Sequence, residues 1–173
     1  MISPREIAEF LTLNRSKANI NKLIASIEKE GLDFNAFFSE VQHQKQPIRW
    51  YMIWLLTHYV EANKEMGSSI QTLIWNQLKA TTNQSMLRDL WRCMSHIDVN
   101  EEISGEVYDQ ATRVFTSQKH AIAVRAHALE CACYIAKPYP ELREEMKLFL
   151  KPLKEDESPG MRSKAKNWLR AFS

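Results

Sequence analysis

Four times along this chain an apolar residue is followed directly by arginine at the head of an amphipathic stretch: Ile48-Arg49, Leu87-Arg88, Val124-Arg125 and Met161-Arg162. The arginines are separated by 39, 37 and 37 residues. Three positions beyond each stand Met52, Trp91, Ala128 and Ala165, and six positions beyond stand Leu55, Met94, Cys131 and Trp168. The apolar stripe therefore repeats in phase with the arginine. A fixed period of this length belongs to stacked supersecondary units, none of which can bury its own apolar face alone.

The units are helical. Apolar residues recur at spacings of three and four, as in Ile20, Leu23, Ile24 and Ile27, or Met146, Phe149, Leu150 and Leu153, and nowhere does the alternation of a half-buried strand persist. Gly and Pro at Pro4, Gly31, Pro47, Gly67, Gly105, Pro138, Pro140, Pro159 and Gly160 cut the chain into helix-length pieces. The spacing predicts helices over 4–13, 16–30, 33–43, 47–63, 68–80, 84–97, 101–117, 120–137, 139–154 and 159–172. A single all-α domain over 1–173 is expected, with 1–46 as an N-terminal cap and first hairpin and 47–173 as the periodic array.

Two helices per period of 37 to 39 residues resembles the HEAT repeat, most clearly in DESPGMRSKAKNWL (156–169) and AIAVRAHALECACYIA (121–136). The first stretch has the family's Asp in the inter-helix turn, then Pro159, an apolar-Arg step, and Ala165 with Leu169 at helical spacing. At the position of Asp156 the other copies carry His43, Thr82 and Lys119, so the family's Asp-Arg ladder is expected to be incomplete. The resemblance implies a right-handed α-α superhelix of the HEAT or armadillo kind, with the arginine-bearing helix of each hairpin lining a groove. The chain also resembles small Bacteroidota helical-repeat proteins that carry an adenylosuccinate-lyase label. That superfamily's flexible loop reads GSS followed by MP-x-K-x-N, whereas Gly67–Trp75 reads GSSIQTLIW, without the Met-Pro, Lys and Asn. Lyase activity is not expected.

If the arginine-bearing helices line a groove, positions one, four, five and eight beyond each arginine should face it, because the core stripe takes the others. This selects Trp50, Ile53 and Trp54, then Asp89, Arg92 and His96, then Ala126, Leu129 and Glu130, then Ser163, Lys166 and Arg170. Trp50 and Trp54 lie one turn apart and could form an aromatic ledge, the residue type that dominates binding hot spots, or could simply pack. Asp89, Arg92 and His96 share one helix face and could serve as a polar network or as an acid, a cation and a titratable base. Trp75, Trp91 and Trp168 fit the core stripe. Arg49, Arg88, Arg125 and Arg162, beside the core step, are expected to bond turns of adjacent hairpins rather than a ligand.

Composition narrows the chemistry. The formal charge of +2 comes from 23 basic and 21 acidic residues, too balanced for the field that drives nucleic-acid binding. Four dispersed glycines build no phosphate loop. Cys131 and Cys133 lie on opposite sides of one helix, and the five histidines are scattered, so neither a metal nor a cofactor is expected. No apolar run is long enough to cross a bilayer and the start lacks the apolar region of a secretory signal, which points to a cytoplasmic chain. The expected function is a non-catalytic scaffold holding a protein or peptide partner, with self-association as a further use of an exposed end. The alternative is a nucleic-acid binder resembling the HEAT-like glycosylases that remove alkylated DNA bases, in which Asp89 would be the reacting acid beside Trp50, Trp54 and Trp91.

Overall fold

A computed structural model describes residues 1–13, 15–155 and 158–173; Asp156, the acid of the last turn pattern, lies outside the described residues. Among the described residues there are eleven helices and no strand: α1 Pro4–Leu13, α2 Lys17–Glu30, α3 Phe34–His43, α4 Ile48–Ala62, α5 Lys64–Ser69, α6 Gln71–Lys79, α7 Gln84–His96, α8 Glu101–Thr116, α9 Ile122–Ala136, α10 Pro140–Leu153 and α11 Pro159–Ala171. They form two compact units, Met1–Asp98 and Val99–Ser173.

Local chemistry sets the helix starts. Ser16, Asp33, Asn83, Asn100 and Ser158 each accept a hydrogen bond from a backbone N–H of the first turn they precede, which satisfies a donor the helix itself cannot. Pro140 and Pro159 open α10 and α11, where a missing N–H costs nothing and the fixed φ suits the helix. Gly31 ends α2 at φ 81, a conformation that disfavours any residue with a Cβ.

In the first unit α4 is central, packing against α7 and also touching α1, α2, α3 and α5; α6 and α7 form a hairpin. In the second, α8 pairs with α9, α10 pairs with α11, and α9 also touches both α10 and α11. A helix flanked on several sides buries more than one stripe. This corrects two of the groove positions: Ile53 on α4 and Leu129 on α9 are fully buried at 0% exposure, because each sits on a side of its helix that a second neighbour covers. Trp75 and Trp91 are buried and meet edge to face, while Trp168 is half-buried against Tyr134 and Phe172.

Two of the repeated arginines, Arg49 and Arg125, bond within their own hairpins. Arg49 Nε donates to the carbonyl of Val41 at 3.0 Å and its Nη2 to that of Gln42, both in the last turn of α3. Arg125, 3% exposed, donates from Nε to the carbonyl of Phe115 at 3.0 Å in the last turn of α8 and from Nη1 to Gln118 Oε1 at 3.1 Å. The last carbonyls of a helix lack intrahelical partners and carry partial negative charge, so a guanidinium arriving from the next helix satisfies both. The bonds therefore run to the preceding helix of the same hairpin, which differs from the expected bond to an adjacent one. Arg88 departs further, turning to its neighbour Asp89 instead.

A separate helix, α5, stands where Gly67 was expected to be a break. Gly67 is buried inside it, and a Cβ there would come within 2.6 Å of Ile97 Cγ2 and 2.8 Å of Val60 Cγ1. Both neighbours are β-branched and buried, so neither can swing aside. Gly67→Ala should destabilise the protein by about 1–3 kcal/mol through overpacking, despite alanine's better helix propensity. A urea midpoint equal to or above that of the wild type would show that the helix relaxes freely here.

Candidate interaction face on α4 and α7

Trp50, Trp54, His58 and Glu61 succeed one another at i, i+4, i+8 and i+11 along α4 and share one side of it. Because α4 packs on α7, this row meets Arg88, Asp89, Arg92 and His96. Trp50 Nε1 donates to Asp89 Oδ2 at 2.8 Å, and Arg88 binds the same carboxylate through Nε and Nη2, each at 2.9 Å. One turn on, Glu61 Oε1 meets Arg92 Nη2 at 2.5 Å and His96 Nε2 at 3.2 Å, while its Oε2 lies 3.4 Å from His58 Nδ1. Five of the residues selected from the sequence, Trp50, Trp54, Asp89, Arg92 and His96, thus come together at one helix pair.

Their exposure divides them. Trp50 and Trp54 are half-buried, and the side chains of Arg92 and His96 are 35% and 37% exposed. Asp89 is 1% exposed. The expectation that Asp89 faces a groove is corrected: its carboxylate points inward and is committed to Trp50 and Arg88. A buried acid that already accepts three hydrogen bonds is engaged in joining α4 to α7. Burial likewise pushes the Cys93 thiol up to about 12, with a hydrogen bond to Thr57 Oγ1 at 3.5 Å only partly opposing it. A thiol so fully protonated is no nucleophile at neutral pH.

His58 is held below its ordinary 6.5, chiefly by desolvation, with Lys17 and Arg92 adding to the effect and Glu61 opposing it. It stacks edge to face with Trp54, ring centroids 5.3 Å apart. At pH 7 it is neutral. As the pH falls below 6.5 the unfolded chain takes up the proton first, so the stabilisation from neutral His58 is lost toward acid.

Glu61 and His58 were not among the sequence candidates, although their spacing after Trp54 was there to be read. Arg15 carried no such signal: it reaches Tyr51 from 36 residues away, donating from Nη1 to the hydroxyl at 2.9 Å. Where the row ends, a shallow pocket of about 640 Å³ opens along Glu61–Met66 and Ser69.

Glu130 and Lys166 belong to the second unit. Glu130 Oε2 pairs with Lys164 Nζ at 2.6 Å across α9 and α11, and Lys166 is exposed. Cys131 and Cys133 on α9 are buried, which raises both thiols. A pocket of about 440 Å³ between α8, the end of α9 and α10 has Tyr108, Tyr139 and Glu145 in its wall, none of them a sequence candidate. Among the described residues no cluster of His, Cys, Asp or Glu could hold a metal ion, and no helix is long and apolar enough to cross a membrane. The Gly67-Ser68-Ser69 triplet lies within α5, so the one segment shared with the lyase loop is helical.

No curated protein and no solved structure matches the chain. A family model described as the HEAT repeat domain matches residues 7–172. With helical hairpins in both units, and arginines that tie second helices back to first, the chain belongs to the HEAT repeat family.

Proposed function

We propose that the α4–α7 face binds a segment of a protein partner and performs no chemistry on it. The observation that carries this reading is the row itself: half-buried Trp50 and Trp54 continue into partly exposed Arg92 and His96, whose positions are already held by Glu61. Such an arrangement offers an apolar anchor beside charge-bearing donors that lose little freedom on binding. Helical-repeat proteins present extended surfaces of this kind to their partners. Asp89 and Cys93 beside the row are buried and engaged, and Glu61 within it is paired with Arg92 and His96, which favours binding over catalysis.

The test compares capture from native lysate by wild type, by Trp54→Ala with Arg92→Glu, and by Lys166→Glu in the other unit. The double variant should lose about 90% of each specifically captured protein, the change of about 1.4 kcal/mol expected at least from truncating one aromatic anchor. Lys166→Glu should retain capture. Equal capture by the double variant, with an unchanged circular dichroism spectrum, would rule this face out.

A further inference from the structure

Beside this row one cation has no carboxylate to answer it. Arg15, just before α2, lies with its guanidinium 4.7 Å from the Tyr51 ring centroid and 5.4 Å from that of Trp50. Its Nη1 donates to the Tyr51 hydroxyl at 2.9 Å, and among the described residues no Asp or Glu pairs with it. The other side of the cluster is also cationic: Arg88 stands 5.9 Å from the Trp50 centroid. Arg88 and Arg92 are matched by Asp89 and Glu61, whereas Arg15 is left over. The row therefore meets three arginines, Arg15, Arg88 and Arg92, against two carboxylates, Asp89 and Glu61.

Contact with two rings limits where the surplus charge can point. A guanidinium held against aromatic rings by cation–π attraction and one hydrogen bond still has N–H groups free at its edge, and these can meet a carboxylate fork on fork. A flexible surface arginine would have to be ordered on binding; the contacts with Tyr51 and Trp50 lower that cost for Arg15. Trp54, one turn along, supplies apolar surface within reach of the same ligand segment.

We infer that the segment taken by the α4–α7 face is acidic, with an Asp or Glu carboxylate received by Arg15 and an apolar residue resting on Trp54. This rests on the protein-binding reading of that face and adds the sign of the partner's charge.

Two fluorescein-labelled helical peptides, LEELLEELLEEL and LKKLLKKLLKKL, test it by anisotropy titration against the whole chain at about 50 mM salt, where surface charge is weakly screened. The acidic peptide should bind about tenfold more tightly than the basic one. Arg15→Ala should remove most of that advantage, and Arg15→Lys should not restore it, because an ammonium cannot reproduce a stacked fork. Trp54→Ala should weaken the acidic peptide while leaving the preference for acid in place. Thermal melts of the exposed Arg15 variants serve as the folding control. Tighter or equal binding of the basic peptide, no binding of either, or an acidic affinity unmoved by Arg15→Ala would each overturn the inference. In all three cases the lysate experiment on Trp54 and Arg92 still decides separately whether the face binds protein. An acidic preference that responds to Arg15 but not to Trp54 would uphold the anion site and move the apolar anchor elsewhere.

Discussion

Arg125→Ala is expected to lower the free energy of unfolding by about 3–4 kcal/mol, as much as truncating a buried apolar side chain. The guanidinium is 3% exposed, and it bonds the carbonyl of Phe115 and the amide oxygen of Gln118. Truncation strips a helix-terminal carbonyl of its partner and opens a cavity between α8 and α9. Loss of the cation's own desolvation cost offsets part of this, so the figure stays below the sum of the bonds. Arg125→Lys should lose nearly as much, since one ammonium on a shorter stem cannot serve acceptors that approach a fork from two directions. Arg125→Met should recover roughly 1 kcal/mol over alanine by filling the stem's volume. Urea unfolding measures all three. A lysine variant as stable as wild type would mean that charge alone, not fork geometry, closes the hairpin.

Asp89→Ala should cost about 2–3 kcal/mol. Its carboxylate is buried between Trp50 Nε1 and the Arg88 fork, and removal leaves an indole N–H and a guanidinium facing an emptied site. Breaking a fully buried ion pair costs more than this, but the Arg88 side chain is 35% exposed and can turn to water. Asp89→Asn keeps an acceptor for Trp50 without neutralising Arg88 and should fall about midway. Replacing the pair together, Asp89→Leu with Arg88→Met, should approach wild-type stability, because no charge is then left unmatched. A shift for Asp89→Ala no larger than that for Lys166→Ala, an exposed site, would show that the Trp50–Asp89–Arg88 link contributes nothing to joining α4 and α7.

Helix existence was legible because its signals are local. Apolar spacing of three and four, cap residues such as Asn83 and Asn100, and prolines at helix starts all act within one turn. The same locality explains the misreading at Gly67. Taken alone, a glycine suggests a break; inside α5 it is a point of close approach, set by Val60 and Ile97, which no local rule brings together. Ile53 and Leu129 failed for a related reason. A single apolar stripe predicts one buried side, and central helices have more than one.

The candidate site was legible by half. Phase relative to the repeated arginine selects Trp50, Trp54, Asp89, Arg92 and His96, which meet because α4 packs on α7, and it equally selects the buried Ile53 and Leu129. What phase could not tell was which member turns inward. Asp89 and Arg92 differ by three positions, yet one is sealed under Trp50 and the other faces Glu61 at the rim.

The apolar-arginine step recurring every 37 to 39 residues was enough to identify stacked helical hairpins, since a periodic pattern on one helix face can be buried only by its own neighbours. For Arg49 and Arg125 the acceptors, helix-end carbonyls, were decided by how each hairpin closes, whereas Arg88 pairs with its sequence neighbour Asp89, which packing buries. Packing also brought Arg15 onto Tyr51, and with it the charge of the candidate face. A hydrogen bond is specific in three dimensions, and its partner lies wherever the chain returns.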